Sequence, residues 1–296
     1  MLQNKDHELN LELFKNIPID SSLTIIADSG GTKTSWAILA EDLVVETETT
    51  SFHANNLENQ SNTNFVEFLK KLIARYSTIE LHFYGAGCLN STNILKTKLF
   101  FDAIGLKNNH IKSDLIGAAQ ALFEQNEGIV GILGTGSVAI HYKNGQINKL
   151  IGGLGYLIGD EGSGFYFGKT LINQLLNQKF EEQLCSKLHE ILGNKEEIMN
   201  MVYGVNGKQF IGSIAEKTNS LSNNSEICEL HRNNLKIFIE TLQTSFQKNL
   251  PVGIIGSYGY NNQTIINELF QSKNIPLPSY ISHPIKQLIK QFKQQL

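Results

Sequence analysis

The sequence has few cysteines and no long apolar segment, and each shortage argues against a class of protein. Its three cysteines, Cys88, Cys185 and Cys228, are far apart in the chain, which indicates neither a disulfide framework nor a CxxC metal or redox pair. No stretch approaches the roughly 18 consecutive apolar residues of a membrane-spanning helix. Residues 1–22 lack the basic start and apolar run of a signal peptide. We therefore expect a soluble cytoplasmic protein with no membrane partner.

Arginine is scarce too, and the overall charge is close to balanced. Arg75 and Arg232 are the two arginines of the sequence, and the other basic residues are lysines. The basic residues are scattered along the chain, and the net charge is −3. A nucleic-acid partner is disfavoured, because such proteins concentrate basic residues on one face. If this chain binds phosphate, backbone N–H groups and helix or turn dipoles must provide much of the contact.

The apolar pattern predicts a duplicated α/β domain. At 296 residues, with 41% hydrophobic residues, the chain is long enough for two cores. An apolar run at 24–28 is followed by a glycine-rich turn and by returning β-rich runs at 34–40 and 43–50. The pattern restarts with a strand at 128–133, a second glycine turn and a returning strand at 138–142. Two copies of one motif indicate two related domains.

Helical spacing and proline positions suggest where the parts of the chain begin and end. A long helical tract runs over 165–247, and Pro284 lies near the first turn of a last helix. We interpret the N-terminal segment as a short amphipathic leader with little order. The predicted parts are an N-terminal extension (1–22), a first domain (23–115), a second domain (116–281) and a C-terminal helix (282–296).

A Walker phosphate loop is the first nucleotide-binding motif to test, and it is absent. Residues 164–170 (GFYFGKT) end in the required Gly-Lys-Thr, but the position five before Gly168 is Ser163 rather than glycine. No GxGxxG follows a strand and opens a helix either, so a Rossmann dinucleotide site is not supported.

The two glycine turns remain as candidates for binding an anion. Paired glycines expose backbone N–H groups and let a phosphate approach the chain, and a carboxylate at Asp28 suits Mg²⁺ held through water. An ordinary β-hairpin turn is the better explanation of one such turn alone, whereas two matched turns favour binding. The candidates are Asp28, Gly30, Gly31, Thr32 and Lys33 in the first turn, and Gly134, Thr135, Gly136 and Ser137 in the second.

Three glycine-rich motifs, in this order, resemble those of one known family. They are 28–34 (DSGGTKT), 134–137 (GTGS) and 152–163 (GGLGYLIGDEGS). They resemble the motifs of the N-acetylglucosamine kinases and BadF/BadG-type ATPases of the sugar kinase/Hsp70/actin superfamily. The resemblance extends from about residue 24 to the last helix. The resemblance implies two actin-like (ribonuclease H-like) α/β domains with five-stranded mixed sheets, a ligand cleft between them, and a last helix packed on the first domain.

The resemblance also implies roles for residues around ATP and Mg²⁺. The two turns would grip the ATP phosphates, Asp28 would hold Mg²⁺, and Gly256 with Ser257 would lie against the adenosine. Asp114 would be the catalytic base that activates the sugar hydroxyl. The residues alone favour another role for Asp114, because aspartate before Leu-Ile-Gly-Ala-Ala is an ordinary helix N-cap. A helix N-terminus stabilises the charged form of a carboxylate, which suits a base.

Sugar contacts are implied at an asparagine loop and at the third glycine-rich motif. The matching positions are Asn55 or Asn56, Gly153, Leu154 and Asp160. Asp160 has the alternative role of a turn acid. Close relatives often have tryptophan where this chain has Leu154, which leaves the exact amino sugar open.

Taken together, the resemblance implies ATP-dependent phosphorylation of an amino sugar, N-acetylglucosamine first among them, and it is compatible with a homodimer. The alternatives are a kinase for glucosamine or N-acetylmuramic acid and a non-catalytic ATP-binding sugar sensor. The BadF-type activators of acyl-CoA dehydratases need a cysteine-held iron–sulfur cluster. Three dispersed cysteines argue against that branch.

Overall fold

The computed structural model describes residues 2–3, 10–31, 33–246 and 249–294. The chain divides into two compact units, Met1–Gln125 with His283–Leu296, and Asn126–Ser282. No helix in the described ranges is both long and apolar enough to cross a membrane.

The described residues of the two units form the following strands and helices. The strands are β1 (Leu2–Gln3), β2 (Ser22–Ser29), β3 (Lys33–Ala40), β4 (Leu43–Thr50), β5 (Thr78–Gly85), β6 (Asn109–Ser113), β7 (Gly128–Leu133), β8 (Ser137–Lys143), β9 (Gln146–Gly152), β10 (Val252–Ile255) and β11 (Ser279–Ile281). The helices are α1 (Thr63–Arg75), α2 (Ser91–Ala103), α3 (Asp114–Phe123), α4 (Gly164–Leu176), α5 (Glu182–Leu192), α6 (Lys195–Tyr203), α7 (Gly207–Lys217), α8 (Ser225–Ser245), α9 (Ser257–Asn261), α10 (Gln263–Ser272) and α11 (Pro284–Lys293).

The first unit is organised around a mixed sheet in the order β1-β4-β3-β2-β5-β6. Strands β2, β3 and β4 form an antiparallel meander, and β5 and β6 continue parallel to β2. An aromatic cluster forms much of the core, with the Trp36 ring centroid 4.6 Å from Phe65 and 5.2 Å from Phe52. The parallel strands end at one edge of the sheet, which brings the residues after them together.

The N-terminal residues correct the sequence prediction. Leu2–Gln3 pairs in parallel with β4 and adds a sixth strand to the sheet, where five were expected. Leu11–Phe14 forms a 3₁₀ turn, and the Phe14 side chain is fully buried. The Tyr76 hydroxyl donates a hydrogen bond to the Phe14 carbonyl at 3.0 Å. The buried Phe14 side chain and the hydrogen bonds from Tyr76 to the Phe14 and Ile17 carbonyls hold this segment on the first unit, so a leader with little order is wrong for residues 10–21.

The second unit repeats the arrangement around a sheet in the order β11-β10-β7-β8-β9. Strands β7, β8 and β9 form an antiparallel meander, whereas β10 and β11 run parallel to β7. The turn between β8 and β9 has left-handed φ angles at Asn144 (53°) and Gly145 (74°), as expected for an Asn-Gly hairpin. Its core includes Ile129, Phe167 and Leu188.

Helix α3 belongs with the first unit, although we predicted a domain boundary after Leu115. It packs against α11, and the Gln291 side-chain amide donates to the Gln120 carbonyl at 2.9 Å. The Gly117 backbone passes close to Tyr84 of β5. The units therefore divide after Gln125.

Candidate functional site

The first glycine turn joins β2 to β3 in the first unit. The Gly30 N–H donates to the Lys33 carbonyl at 2.9 Å, and the Gly30 carbonyl accepts a hydrogen bond from Ser51 Oγ at 2.6 Å. Below the turn, the buried hydroxyls of Ser29 and Thr34 lie 2.7 Å apart. Hydrogen bonds at Gly30 and between Ser29 and Thr34 therefore fix the path of the backbone on either side of this turn.

Within this turn, Gly31 has no structural need to be glycine. Its φ lies outside the left-handed region, and a Cβ at this position would meet no atom of the described residues within 4 Å. The missing side chain instead leaves the backbone open to close approach. Lys33 Nζ lies 2.6 Å from Glu48 Oε1 on β4, and both side chains are exposed. Thr32 lies outside the described residues.

Two carboxylates lie near the carboxyl edge of the first sheet. Asp28, near the end of β2, is opposite Tyr84 of β5, which is in turn opposite Lys112 of β6. Asp114 follows Lys112 by two residues. Burial raises the pKa of Asp28 to about 7, the charge of Asp114 raises it as well, and Lys33 lowers it. The sheet thus brings two predicted site residues within electrostatic reach of each other.

Asp114 is the first residue of α3, and Ser113 is the N-cap. Ser113 Oγ accepts a hydrogen bond from the Ile116 N–H at 3.3 Å, whereas Asp114 Oδ1 accepts one from Leu115 N–H at 3.0 Å. Burial nevertheless raises the pKa of Asp114 from 3.8 to about 6. The backbone N–H groups at the helix start favour the anion, as expected, but desolvation outweighs them and the net effect is a raised pKa. A carboxyl group with this pKa is still mostly ionised at pH 7 and is well matched to proton transfer.

The predicted asparagine loop follows β4. The Asn56 N–H donates to the His53 carbonyl at 2.7 Å, and the Asn55 N–H donates to His53 Nδ1 at 3.1 Å. His53 packs against Gly87 in the loop between β5 and α2, where a Cβ would lie 2.9 Å from the ring. Both asparagines are exposed. The loop is thereby fixed while its amide side chains face solvent.

The second glycine turn joins β7 to β8 in the second unit. The Gly134 N–H donates to the Gly136 carbonyl at 3.0 Å. The start of α4 holds the turn from one side, since Gly164 N–H donates to the Gly134 carbonyl at 2.9 Å and Phe165 N–H donates to the Thr135 carbonyl at 3.1 Å. In the part of the chain that the structure describes, a Cβ on Gly134 would meet nothing within 4 Å, as at Gly31 in the first turn.

Asp160 ties the third glycine-rich motif to this second turn. The Asp160 side chain is only 7% exposed, and its Oδ1 accepts a hydrogen bond from Ser137 N–H at 3.2 Å. The Ser137 hydroxyl donates to the Glu161 carbonyl at 2.7 Å, and Gly153 N–H donates to the Ser137 carbonyl at 3.1 Å. Leu154, in the same motif, is 63% exposed. Ser137 and Asp160, expected to contact different ligands, therefore lie side by side.

The turn at Gly256 and Ser257, also in the second unit, packs against the end of β7, next to the glycine turn at 134–137. Gly256 connects β10 to α9 with φ 104°, and a Cβ there would lie 2.4 Å from the Leu133 carbonyl oxygen, just before Gly134. Glycine is required at this position because any side chain would collide with β7. Ser257 is the exposed first residue of α9. The structure thus brings two predicted nucleotide-binding turns of this unit together.

Sequence reasoning missed a buried polar network that positions the glycine-rich loop. Asn234 Oδ1 accepts a hydrogen bond from Gly162 N–H at 2.7 Å, and its Nδ2 donates to the Ser163 carbonyl at 2.9 Å. The Tyr258 hydroxyl lies 3.0 Å from Asn234 Nδ2 and 2.8 Å from His231 Nδ1. Burial lowers the pKa of His231 to about 4, so the ring is neutral at pH 7. No local motif marks these residues in the sequence.

Solved structures of other proteins share this architecture along most of the chain. A "putative N-acetylglucosamine kinase" from Porphyromonas gingivalis is 26% identical, with a TM-score of 0.81, covering 90% of this chain and 97% of its own. A protein of the same description from Chromobacterium violaceum is 19% identical, with a TM-score of 0.69, and the match covers 91% of this chain and 98% of that protein. The chain has the fold of the sugar kinase/Hsp70/actin superfamily. The family resemblance predicted from the three motifs is confirmed.

A more distant structure shares the fold alone. A ROK family glucokinase from Streptomyces griseus, in complex with glucose and AMPPNP, is 13% identical with a TM-score of 0.50, covering 88% of this chain and 94% of its own. No protein-family model matches the chain, and no curated protein matches it significantly.

Proposed function

We propose that this protein is an ATP-dependent kinase that transfers the γ-phosphoryl group to an amino sugar, with O6 of N-acetylglucosamine as the first candidate acceptor. The observation that carries the proposal is the pair of largely buried carboxylates, Asp28 and Asp114, beside a glycine turn whose open backbone serves no packing purpose. The description of the Porphyromonas gingivalis and Chromobacterium violaceum proteins supports the same reaction class.

The phosphate contacts in this proposal come mainly from backbone N–H groups. Gly30 and Gly31 in one unit, and residues 134–137 in the other, form turns held by hydrogen bonds and left open at a glycine. Such turns bind phosphate oxygens without bulky side chains in the way. Lys33 would have to leave Glu48 to reach a phosphate. Gly256 and Ser257 would contact the adenosine.

The residues present fit a magnesium ion. Mg²⁺ binds through one or two carboxylates and keeps several waters, and two like-charged carboxylates within electrostatic reach are stabilised by a divalent cation. Asp28 is the residue that would hold it, through water. When bound, the ion neutralises negative charge on the phosphates as the phosphoryl group is transferred.

Asp114 is the proposed general base. As the sugar hydroxyl oxygen forms its bond to the γ-phosphorus, the bond from that phosphorus to the β–γ bridging oxygen breaks, and ADP leaves. Asp114 accepts the hydroxyl proton and later releases it to solvent. Its raised pKa, about 6, keeps it ionised at neutral pH yet basic enough to accept the proton.

Sugar recognition is assigned to an amide pair and to the third glycine-rich motif. Asn55 and Asn56 present exposed amides suited to sugar hydroxyls. Gly153 offers a backbone path close to a ring, Leu154 offers an exposed apolar side chain for an acetamido methyl group, and Asp160 contributes an acceptor while holding Ser137.

The test is an ADP-release assay with ATP, Mg²⁺ and a panel of N-acetylglucosamine, glucosamine, N-acetylmuramic acid and glucose, with mass spectrometry of the sugar products. We expect fastest turnover and a sugar phosphate with N-acetylglucosamine. Faster turnover of glucosamine or N-acetylmuramic acid would keep the kinase assignment and change the substrate. ADP release that is equal with and without every sugar would contradict the proposal.

A further inference from the structure

A second group of ionisable side chains lies on the first sheet, in the first half and middle of β5, whereas Asp28 is opposite a residue near the end of that strand. Glu80 and His82 are alternate residues of β5, and His110 of the edge strand β6 is directly opposite His82. Glu80 Oε1 lies 2.8 Å from His110 Nε2 and 3.3 Å from His82 Nε2. All three potential ligand atoms lie within 4.8 Å of one another.

The strand geometry explains why the three side chains converge. Alternate residues of a strand point to one face, and directly opposite residues of neighbouring strands are close enough for side-chain contact. The His82 and His110 rings are 15° from parallel with centroids 4.8 Å apart. Asp28 is opposite Tyr84, which Glu80 and His82 precede by four and two residues, or about 13 and 7 Å of extended strand. The three ligand atoms lie within 4.8 Å of one another, and Asp28 is not part of the cluster.

One side of the cluster is covered, and the other is open. The ring of Phe292, on α11, lies 4.3 Å from the His82 ring, and the His82 side chain is 16% exposed. His110 is 48% exposed and leaves a path for an ion from solvent.

We propose that Glu80, His82 and His110 bind a divalent first-row transition ion of the zinc type, apart from the Mg²⁺ of the proposed kinase reaction. Zn–N and Zn–O bonds of about 2.0–2.2 Å place tetrahedral ligand atoms about 3.3 Å apart. Glu80 Oε1 already lies near this spacing from both Nε2 atoms, whereas the two imidazole rings, which are 15° from parallel, must turn about their side-chain bonds so that both nitrogens point at one ion. Two imidazole nitrogens select zinc, nickel, copper or cobalt over magnesium and calcium, which prefer oxygen. A water would complete the set, and the ion would tie edge strand β6 to β5.

The test uses the full chain, stripped with EDTA, dialysed and titrated with ZnCl₂ by isothermal calorimetry. We expect one strong site per chain. Because loss of outer-shell partners alone weakens metal sites about 10- to 100-fold, His110→Ala and Glu80→Gln should weaken this site by at least that factor. His141→Ala is the matched control. His141 Nε2 lies 2.7 Å from Glu127 Oε1 in the second unit, but the metal-ligand cluster found among the described residues does not include it.

Co²⁺ provides a second readout that identifies the ligand atoms. The parent protein loaded with Co²⁺ should show visible d–d bands without the near-ultraviolet sulfur-to-metal band that a cysteine ligand produces, and His110→Ala should lose them. Three results would overturn the proposal: no strong zinc binding, zinc binding unchanged in both cluster variants, or a sulfur-to-metal band. Each would leave a Glu-His-His group held by hydrogen bonds alone.

Discussion

Asp114→Asn separates the chemical role of Asp114 from its effect on stability. Asparagine keeps the side-chain oxygen that accepts the Leu115 N–H, and Ser113 still caps α3 through its hydroxyl. The substitution therefore removes a charge without removing a helix cap. The charge is the unfavourable part of the side chain, because burial raises the pKa of Asp114 from 3.8 to about 6.

The magnitude follows from the difference between folded and unfolded pKa values. The pKa of Asp114 rises from 3.8 to about 6 on folding. This difference means that the ionised carboxylate destabilises the folded state by about 3 kcal/mol. The folded pKa of this acid is raised, so the cost is fully present above pH 6 to 7, declines as pH falls through 6, and is gone below 3.8. Asp114→Asn should therefore be more stable than the parent by up to about 3 kcal/mol at pH 8, and the difference should shrink towards pH 5.

The assay is urea unfolding in EDTA, without nucleotide or sugar, at several pH values between 5 and 8. Ser113→Ala serves as control, since loss of a cap costs about 1 kcal/mol at every pH. Sugar phosphorylation by Asp114→Asn should fall about 10²- to 10⁴-fold, the usual effect of losing a general base. A variant less stable than the parent at pH 8 would refute the burial argument, and a near-parent rate would refute the role as base.

Three further substitutions test other parts of the site. Asp28→Asn should lower the rate and weaken its dependence on Mg²⁺, measured as rate against Mg²⁺ concentration; an unchanged dependence would exclude Asp28 as the magnesium residue. Gly31→Ala should melt at or slightly above the parent temperature, because nothing lies within 4 Å of the new Cβ, yet bind ATP more weakly; unchanged ATP affinity would count against the phosphate role. Gly256→Ala should lose about 1–3 kcal/mol of stability through its left-handed φ and collision with Leu133, and parent-like melting would contradict this.

Local patterns predicted the features that depend on neighbouring residues. The strand, glycine turn and returning strand around Gly30 and Gly134 were predictable because alternating apolar residues and turn glycines lie within about ten residues of one another. The Asn144-Gly145 turn between β8 and β9 is of the same local kind, because the dipeptide itself favours a hairpin. The resemblance to a known family added candidate roles, such as that of Asp114, that no spacing rule supplies.

The features that the sequence did not reveal are hydrogen bonds between residues far apart in the chain. Asp160 meets Ser137 across 23 residues, and Asn234 meets Gly162 across 72. Which polar side chain accepts which N–H depends on packing of whole elements, so these pairs have no local signature. The raised pKa of Asp114 was missed for a related reason, because burial is a property of the folded unit and outweighed the helix terminus.

We propose that this chain transfers the γ-phosphoryl group of ATP to an amino sugar. The most direct measurement follows the γ-phosphoryl label of [γ-³²P]ATP with N-acetylglucosamine and, as matched acceptor, its 6-deoxy analogue. We expect label in N-acetylglucosamine phosphate, no labelled 6-deoxy sugar, and loss of transfer in Asp114→Asn. Label released only as free phosphate, at a rate that no sugar changes, would contradict it.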